Sequence, residues 1–288
     1  MSTTYKASRT LPIRVELVRQ IKRRRTFISY LMMVLLPLLV VAAVKFGPSS
    51  DSGSSSSGSG AFGGGGLNLI GLATNGAWNF TIVMIFFASG FLLNTVVALF
   101  YGDAVASEAS WATLRYLLAA PVPRRKLLRS KLIVSFILTL GAMLTLLVAS
   151  YLIGWAAFGN GDLVSPVGGS FGNGEAAMRV LVISGYVFAV LLFTAGLAFF
   201  VGVRTDVPLG AVGTAVMVVI VLQILDAIDA LGSIREWLPG HYAQSWTDAL
   251  GSSIEWSAMA RGAAMSFALF SLLVGAAFLK FDRKDVLS

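Results

Sequence analysis

Few residues in this chain have the type and spacing for covalent or proton chemistry. Gly168-Gly169-Ser170-Phe171-Gly172 matches the Gly-x-Ser-x-Gly turn that lifts a serine nucleophile. That serine needs an oriented histidine and an acid, and the pattern recurs by chance in Gly-rich loops such as 158–175, so it is set aside. The single histidine, His241, sits beside Pro239-Gly240, and with no cysteine in the chain it cannot assemble a zinc site. It reads as a surface or hydrogen-bonded residue. Asp226 and Asp229 share a helical face and could accept a proton or cation, although a solvated helix end explains them better. Gly63 to Gly66 is not followed by Lys-Ser or Lys-Thr, and no Gly-x-x-x-x-Gly-Lys-Ser/Thr occurs anywhere. The chain is therefore expected to bind no metal or cofactor, to hold no ATP site and to be no enzyme. Within the apolar runs the uncharged polar side chains Asn94, Thr95, Thr139, Thr145, Thr194, Thr214 and Gln223 are groups that more often pair helix with helix than bind ligand, and Asn94, Thr95 and Gln223 are the candidate pathway-lining residues.

The elements that carry these residues follow from composition. Of 288 residues, 56% are hydrophobic and 12% charged, about half the charge a soluble surface needs. Six uncharged apolar runs reach the roughly 20 residues that a helix needs to cross a bilayer. They cover about Phe27–Val44, Trp78–Tyr101, Leu132–Ile153, Val180–Val203, Val207–Leu225 and Gly262–Leu279. Their continuity excludes the alternation of a barrel strand. The expected fold is an all-α integral membrane protein of six transmembrane helices in one domain, with Pro37 kinking the first. A signal peptide is not expected, because the first run follows some 26 polar and charged residues without a clear cleavage site.

Orientation follows from Lys and Arg. The arm 1–26 carries eight, the 102–131 loop six, Arg204 stands alone, and the 280–288 tail carries three; the other side has only Lys45, Arg179, Arg235 and Arg261. Eighteen against four places both termini in the cytoplasm. The net charge of +8 then reflects topology and contact with anionic membrane lipid, and no nucleic-acid partner is expected. Leu11 to Arg25 reads as a helix lying along the cytoplasmic interface, the alternative being a plain positive stop signal. The external loop 47–76 contains a Gly/Ser-rich linker. The external segment 226–258 carries Trp237, Tyr242, Trp246 and Trp256, which fit an aromatic belt, and its break at Pro239-Gly240 predicts two half-helices that dip in and return.

The loop 102–131 is the most informative. Asp103 is positioned to cap a helix running to about Leu118, on which Ser107, Trp111, Leu114 and Leu118 form a stripe flanked by Glu108 and Arg115. Pro121 and Pro123 end it, and Arg124 opens a basic run toward Lys131. Such a stripe either meets a partner or lies on the membrane or its own neighbours. The run Glu108-Ala109-Ser110-Trp111-Ala112-Thr113-Leu114, then Pro121-Val122-Pro123-Arg124, then Lys131, resembles the permease subunits of bacterial type-two ABC exporters, whose pattern reads Glu-x-x-x-Gly-Thr-Leu, Pro-Val-x-Arg, Lys. Ala112 departs from it, standing where Gly is usual. The tail Phe281-Asp282-Arg283-Lys284-Asp285-Val286 is similar as well.

The resemblance implies that residues 103–118 are a coupling helix docking on a separate ATP-binding subunit. Asp103, Glu108, Trp111, Thr113, Leu114, Arg115, Leu118, Pro121 and Arg124 would be its coupling residues. It further implies two ATPase copies holding ATP and Mg, a second permease chain of the same or similar kind, a bacterial plasma membrane, and export. Spans lined by Leu, Val, Phe and Ala suit a hydrophobic or amphipathic cargo such as a drug, antibiotic or lipid. The competing expectation is an ion-gradient-driven transporter or channel, against which the charge-free spans count.

Overall fold

The computed structural model describes residues 13–46, 69–110, 124–165 and 169–282. Among these, six helices are long and apolar enough to cross a membrane, in the order the apolar runs predict. Helix α1, Ile13–Ile21, precedes α2, Arg24–Phe46, which is span 1 and carries Pro37 in its interior. After the short α3, Leu69–Ala73, span 2 is built from α4, Ala77–Phe87, a π-helical segment, Ala88–Leu92, and α5, Leu93–Ser110. Span 3 is α6, Arg124–Phe158; span 4 is α7, Asn173–Arg204; span 5 is α8, Pro208–Asp226; span 6 is α9, Trp256–Asp282. These helices outrun the apolar stretches because hydrogen bonding continues past the point where hydropathy falls.

Spans 2 and 4 form the centre. Of their most apolar stretches 56% and 50% is buried, against 17% in spans 1 and 6 and 22% in span 5, whose apolar side chains face outward. Glycine sets the closest approach. A Cβ at Gly202 of span 4 would stand 2.5 Å from the Gly102 carbonyl oxygen of span 2, and one at Gly196 would stand 3.0 Å from Phe270 Cα of span 6.

Two regions connect the spans at the end away from α1. Between spans 3 and 4 a two-stranded antiparallel hairpin forms, β1 at Leu163–Val164 paired with β2 at Ser170–Phe171. Ser170 lies exposed in that strand and registers opposite Val164. The hairpin is tied down by Val164 N–H donating to Asn79 Oδ1 at 3.0 Å and by Ser165 Oγ donating to the Leu250 carbonyl at 2.6 Å. Between spans 5 and 6 short 3₁₀ segments form at Asp229–Trp237, which is kinked at Gly232 and buries no residue, and at Ser245–Leu250.

One aromatic departs from the belt expectation. Trp246 is 2% exposed and packs edge-on against Phe86 of span 2, while Trp237 and Trp256 stay exposed. Its short helix is folded inward onto spans 4 and 6, which removes it from the surface. Arg179 explains the fold-in: its guanidinium donates to the carbonyls of Ala249 at 2.6 Å and Gly251 at 2.7 Å, pairs with Glu175 at 2.8 Å, and lies 3.6 Å over the Phe171 ring. A cation 3% exposed is tolerable only with such complete satisfaction.

Candidate functional site

The chemistry of this chain collects at the basic end of the bundle, where α1 meets the roots of the 102–131 loop. Glu16 is the only acid among the eight basic residues of the arm. On α1 it shares a face with Gln20, and both are buried, whereas Ile13, Val15, Val18 and Ile21 are exposed. The helix thus turns its polar side inward. The reason is Lys131 of span 3, itself 2% exposed, whose Nζ donates to Glu16 Oε1 at 3.4 Å. Arg19 Nη2 at 2.9 Å and Gln20 Nε2 at 3.1 Å complete the carboxylate's shell. Burial by itself would raise the Glu16 carboxyl, but the Lys131 and Arg19 charges and the Gln20 amide outweigh it and hold it below the usual glutamate value.

The other root is held in the same way. Arg23 Nη1 donates to Asp103 Oδ2 at 3.1 Å, and Arg25 pairs with the second oxygen of the same carboxylate. Arg23 also reaches Ser107 Oγ at 3.2 Å, and Ser107 in turn donates to the Asp103 carbonyl at 2.7 Å. At the surface, Arg125 at the start of span 3 pairs with Asp282 at the end of span 6 at 2.9 Å. One arm therefore grips both ends of the loop, Asp103 where it leaves span 2 and Lys131 where it enters span 3.

This corrects the expected role of Asp103. It does not cap a new helix, because α5 runs unbroken from Leu93 to Ser110 and Asp103 lies in its interior. The helix continues through Gly102 without a break, and two guanidiniums satisfy the carboxylate better than one backbone N–H. Glu108 falls on the last turn of α5 and Arg124 is the first residue of span 3. Trp111, Thr113, Leu114, Arg115, Leu118 and Pro121 lie outside the described residues, as does the tail beyond Asp282.

The three candidate pathway residues meet in part. Asn94 Nδ2 donates to the Ser89 carbonyl at 2.8 Å, and its Oδ1 accepts from Thr194 Oγ1 of span 4 at 2.7 Å. Gln223 Nε2 of span 5 reaches the Gly90 carbonyl at 3.4 Å. Thr95 Oγ1 bonds only within its own helix, to the Phe91 carbonyl at 2.9 Å. Asn94, Thr95 and Gln223 thus all donate to carbonyls of the π segment of span 2. At the opposite end His241 Nδ1 lies 2.7 Å from Asp226 Oδ1, the hydrogen-bonded histidine that the sequence suggests, and Arg235 pairs with Asp229 at 2.6 Å.

Sequence reasoning missed Glu16 and the role of Lys131. The signal was present in the lone acid of a basic arm, and its partner, 115 residues away, was not. A family model described as a protein of unknown function (DUF2705) matches residues 67–287. No curated protein matches the chain.

Proposed function

The chain belongs to the DUF2705 family, and we propose that it is the membrane-spanning subunit of an ATP-driven ABC exporter that carries a hydrophobic or amphipathic substrate out of the cell. A separate ATP-binding subunit, in two copies, would supply the energy, and a second permease chain would complete the pathway. The observation that carries this reading is the double grip on the long basic loop. A partner's movement against residues 103–118 would reach spans 2 and 3 without being absorbed at the roots, because Arg23, Arg25 and Asp103 fix one and Glu16 and Lys131 the other. Loops that only connect helices need no such bracing.

Further support comes from α1. Its outward apolar residues and inward Glu16 suit a helix seated in the cytoplasmic face of the bilayer, with Arg14, Lys22 and Arg24 exposed toward lipid phosphates. The inward-folded Ser245–Leu250 helix suits a segment that re-enters the membrane from outside, its backbone shielded by neighbouring spans.

The deciding experiment is co-purification. The tagged chain, co-expressed with the genes beside its own and extracted in mild detergent, is expected to bring down a protein with a Walker-type nucleotide site. Failure to recover any ATPase, or substrate pumping by the chain reconstituted alone, would sink the proposal.

A further inference from the structure

Span 2 is not one helix. At Ala88–Leu92 it widens to a π turn, with the Leu93 N–H donating to the Ala88 carbonyl five residues back. A π turn inserts one residue into the α repeat, weakens the local ladder and leaves carbonyls in need of other donors. Here the donors are side chains, and they come from a small, specific set. Asn94 supplies Ser89, Thr194 of span 4 holds Asn94 in place, Thr95 supplies Phe91 from the next turn, and Gln223 of span 5 reaches Gly90. The segment is open on one side, where a Cβ on Gly90 would meet nothing within 4 Å and Phe91 is 53% exposed, while Ala88 anchors the other side in the core.

We propose that Ala88–Leu92 is a hinge dividing span 2 into two bodies that turn independently, and that Asn94 is its latch. The outer body, α4, packs against spans 3 and 4. The inner body, α5, carries Asp103 and therefore the grip of the arm. Moving the extra residue along the helix turns the backbone it passes by about 100° and shifts it by about 1.5 Å. A push at the basic end would then swing α5 against spans 4 and 5 while α4 stays seated. In this role Asn94 is a positioning residue, acting through the Ser89 carbonyl and Thr194 and not through any cargo.

The chain has no cysteine, which makes disulfide trapping clean. Below the hinge, a Cβ on Gly102 would lie 3.4 Å from Ala211 Cβ of span 5; above it, a Cβ on Gly154 of span 3 would lie 3.0 Å from Phe80 Cβ. Both are close to disulfide reach. The pairs Gly102→Cys with Ala211→Cys, and Phe80→Cys with Gly154→Cys, are made in the full chain in liposomes, each with and without Asn94→Ala. On brief oxidation without a partner protein or nucleotide, both pairs are expected to cross-link in the parent chain. With Asn94→Ala the lower pair should lose most of its cross-link while the upper pair keeps its own, which also reports that the variant is folded. Gln223→Ala should weaken the lower pair less, in keeping with its longer bond. Equal retention of both pairs, or their joint loss, would overturn the hinge. Because no ATPase is present, that result is separate from any failure of the exporter reading.

Discussion

At the residue scale, the pair to test is Glu16 with Lys131. A buried ion pair is weak evidence for net stability, but removing one partner leaves the other buried with less compensation for its charge. Glu16→Gln and Lys131→Met are each expected to lower the thermal unfolding midpoint in detergent, and the double replacement should recover part of that loss, since it removes both charges of the pair together. Equal losses in all three variants would show that the pair does not couple. The pH dependence has a definite sign. The Glu16 carboxyl is held below its ordinary 4.5, so its contribution is complete above that value and disappears as pH falls through the lower folded value. Stability measured downward from pH 5 should fall more steeply in the parent chain than in Glu16→Gln.

At the element scale, contact between spans 2 and 4 depends on glycine at one crossing. Gly202→Ala places a methyl 2.5 Å from the backbone oxygen of Gly102, which cannot rotate away as a side chain could. Such overpacking costs about 1–3 kcal/mol. Gly185 of the same helix has open space at its Cβ, so Gly185→Ala should be neutral or slightly stabilising, by the same helix-propensity gain that Gly202→Ala cannot realise. Thermal unfolding of the two variants side by side checks the contrast. Much of the element level was legible in advance. Each apolar run became a membrane-length helical span, the second interrupted by a π turn, while the aromatic segment after span 5 holds short 3₁₀ pieces on both sides of Pro239-Gly240, the first of them broken again at Gly232. The π turn was not legible, because nothing in Ala88-Ser89-Gly90-Phe91-Leu92 distinguishes it from an ordinary apolar helix. It depends on donors from Asn94 and from other spans.

At the scale of the whole molecule, the proposed orientation has a direct check. An introduced cysteine at Val207, exposed in the turn between spans 4 and 5, should react with a membrane-impermeant thiol reagent only after cells are opened. One at Ser253, exposed between spans 5 and 6, should react in intact cells. The reversed pattern would overturn the cytoplasmic placement of the basic end.

What the sequence by itself determined is whatever a run of neighbours can decide. Burying a peptide in lipid demands a helix of about 20 apolar residues, and that requirement is written locally six times over. Charge along the chain likewise marks one end of the bundle as basic. What only the tertiary structure decided is which polar groups meet. Glu16 finds Lys131, Arg23 and Arg25 find Asp103, and Arg179 finds the Ala249 and Gly251 carbonyls, across 70 to 115 residues. The buried ones among them, Glu16, Lys131, Asp103 and Arg179, cannot be left unpaired away from water, yet their own surroundings in the chain do not say which partner will satisfy them. Packing of the spans and of α1 makes that choice, because it fixes which helix ends stand side by side.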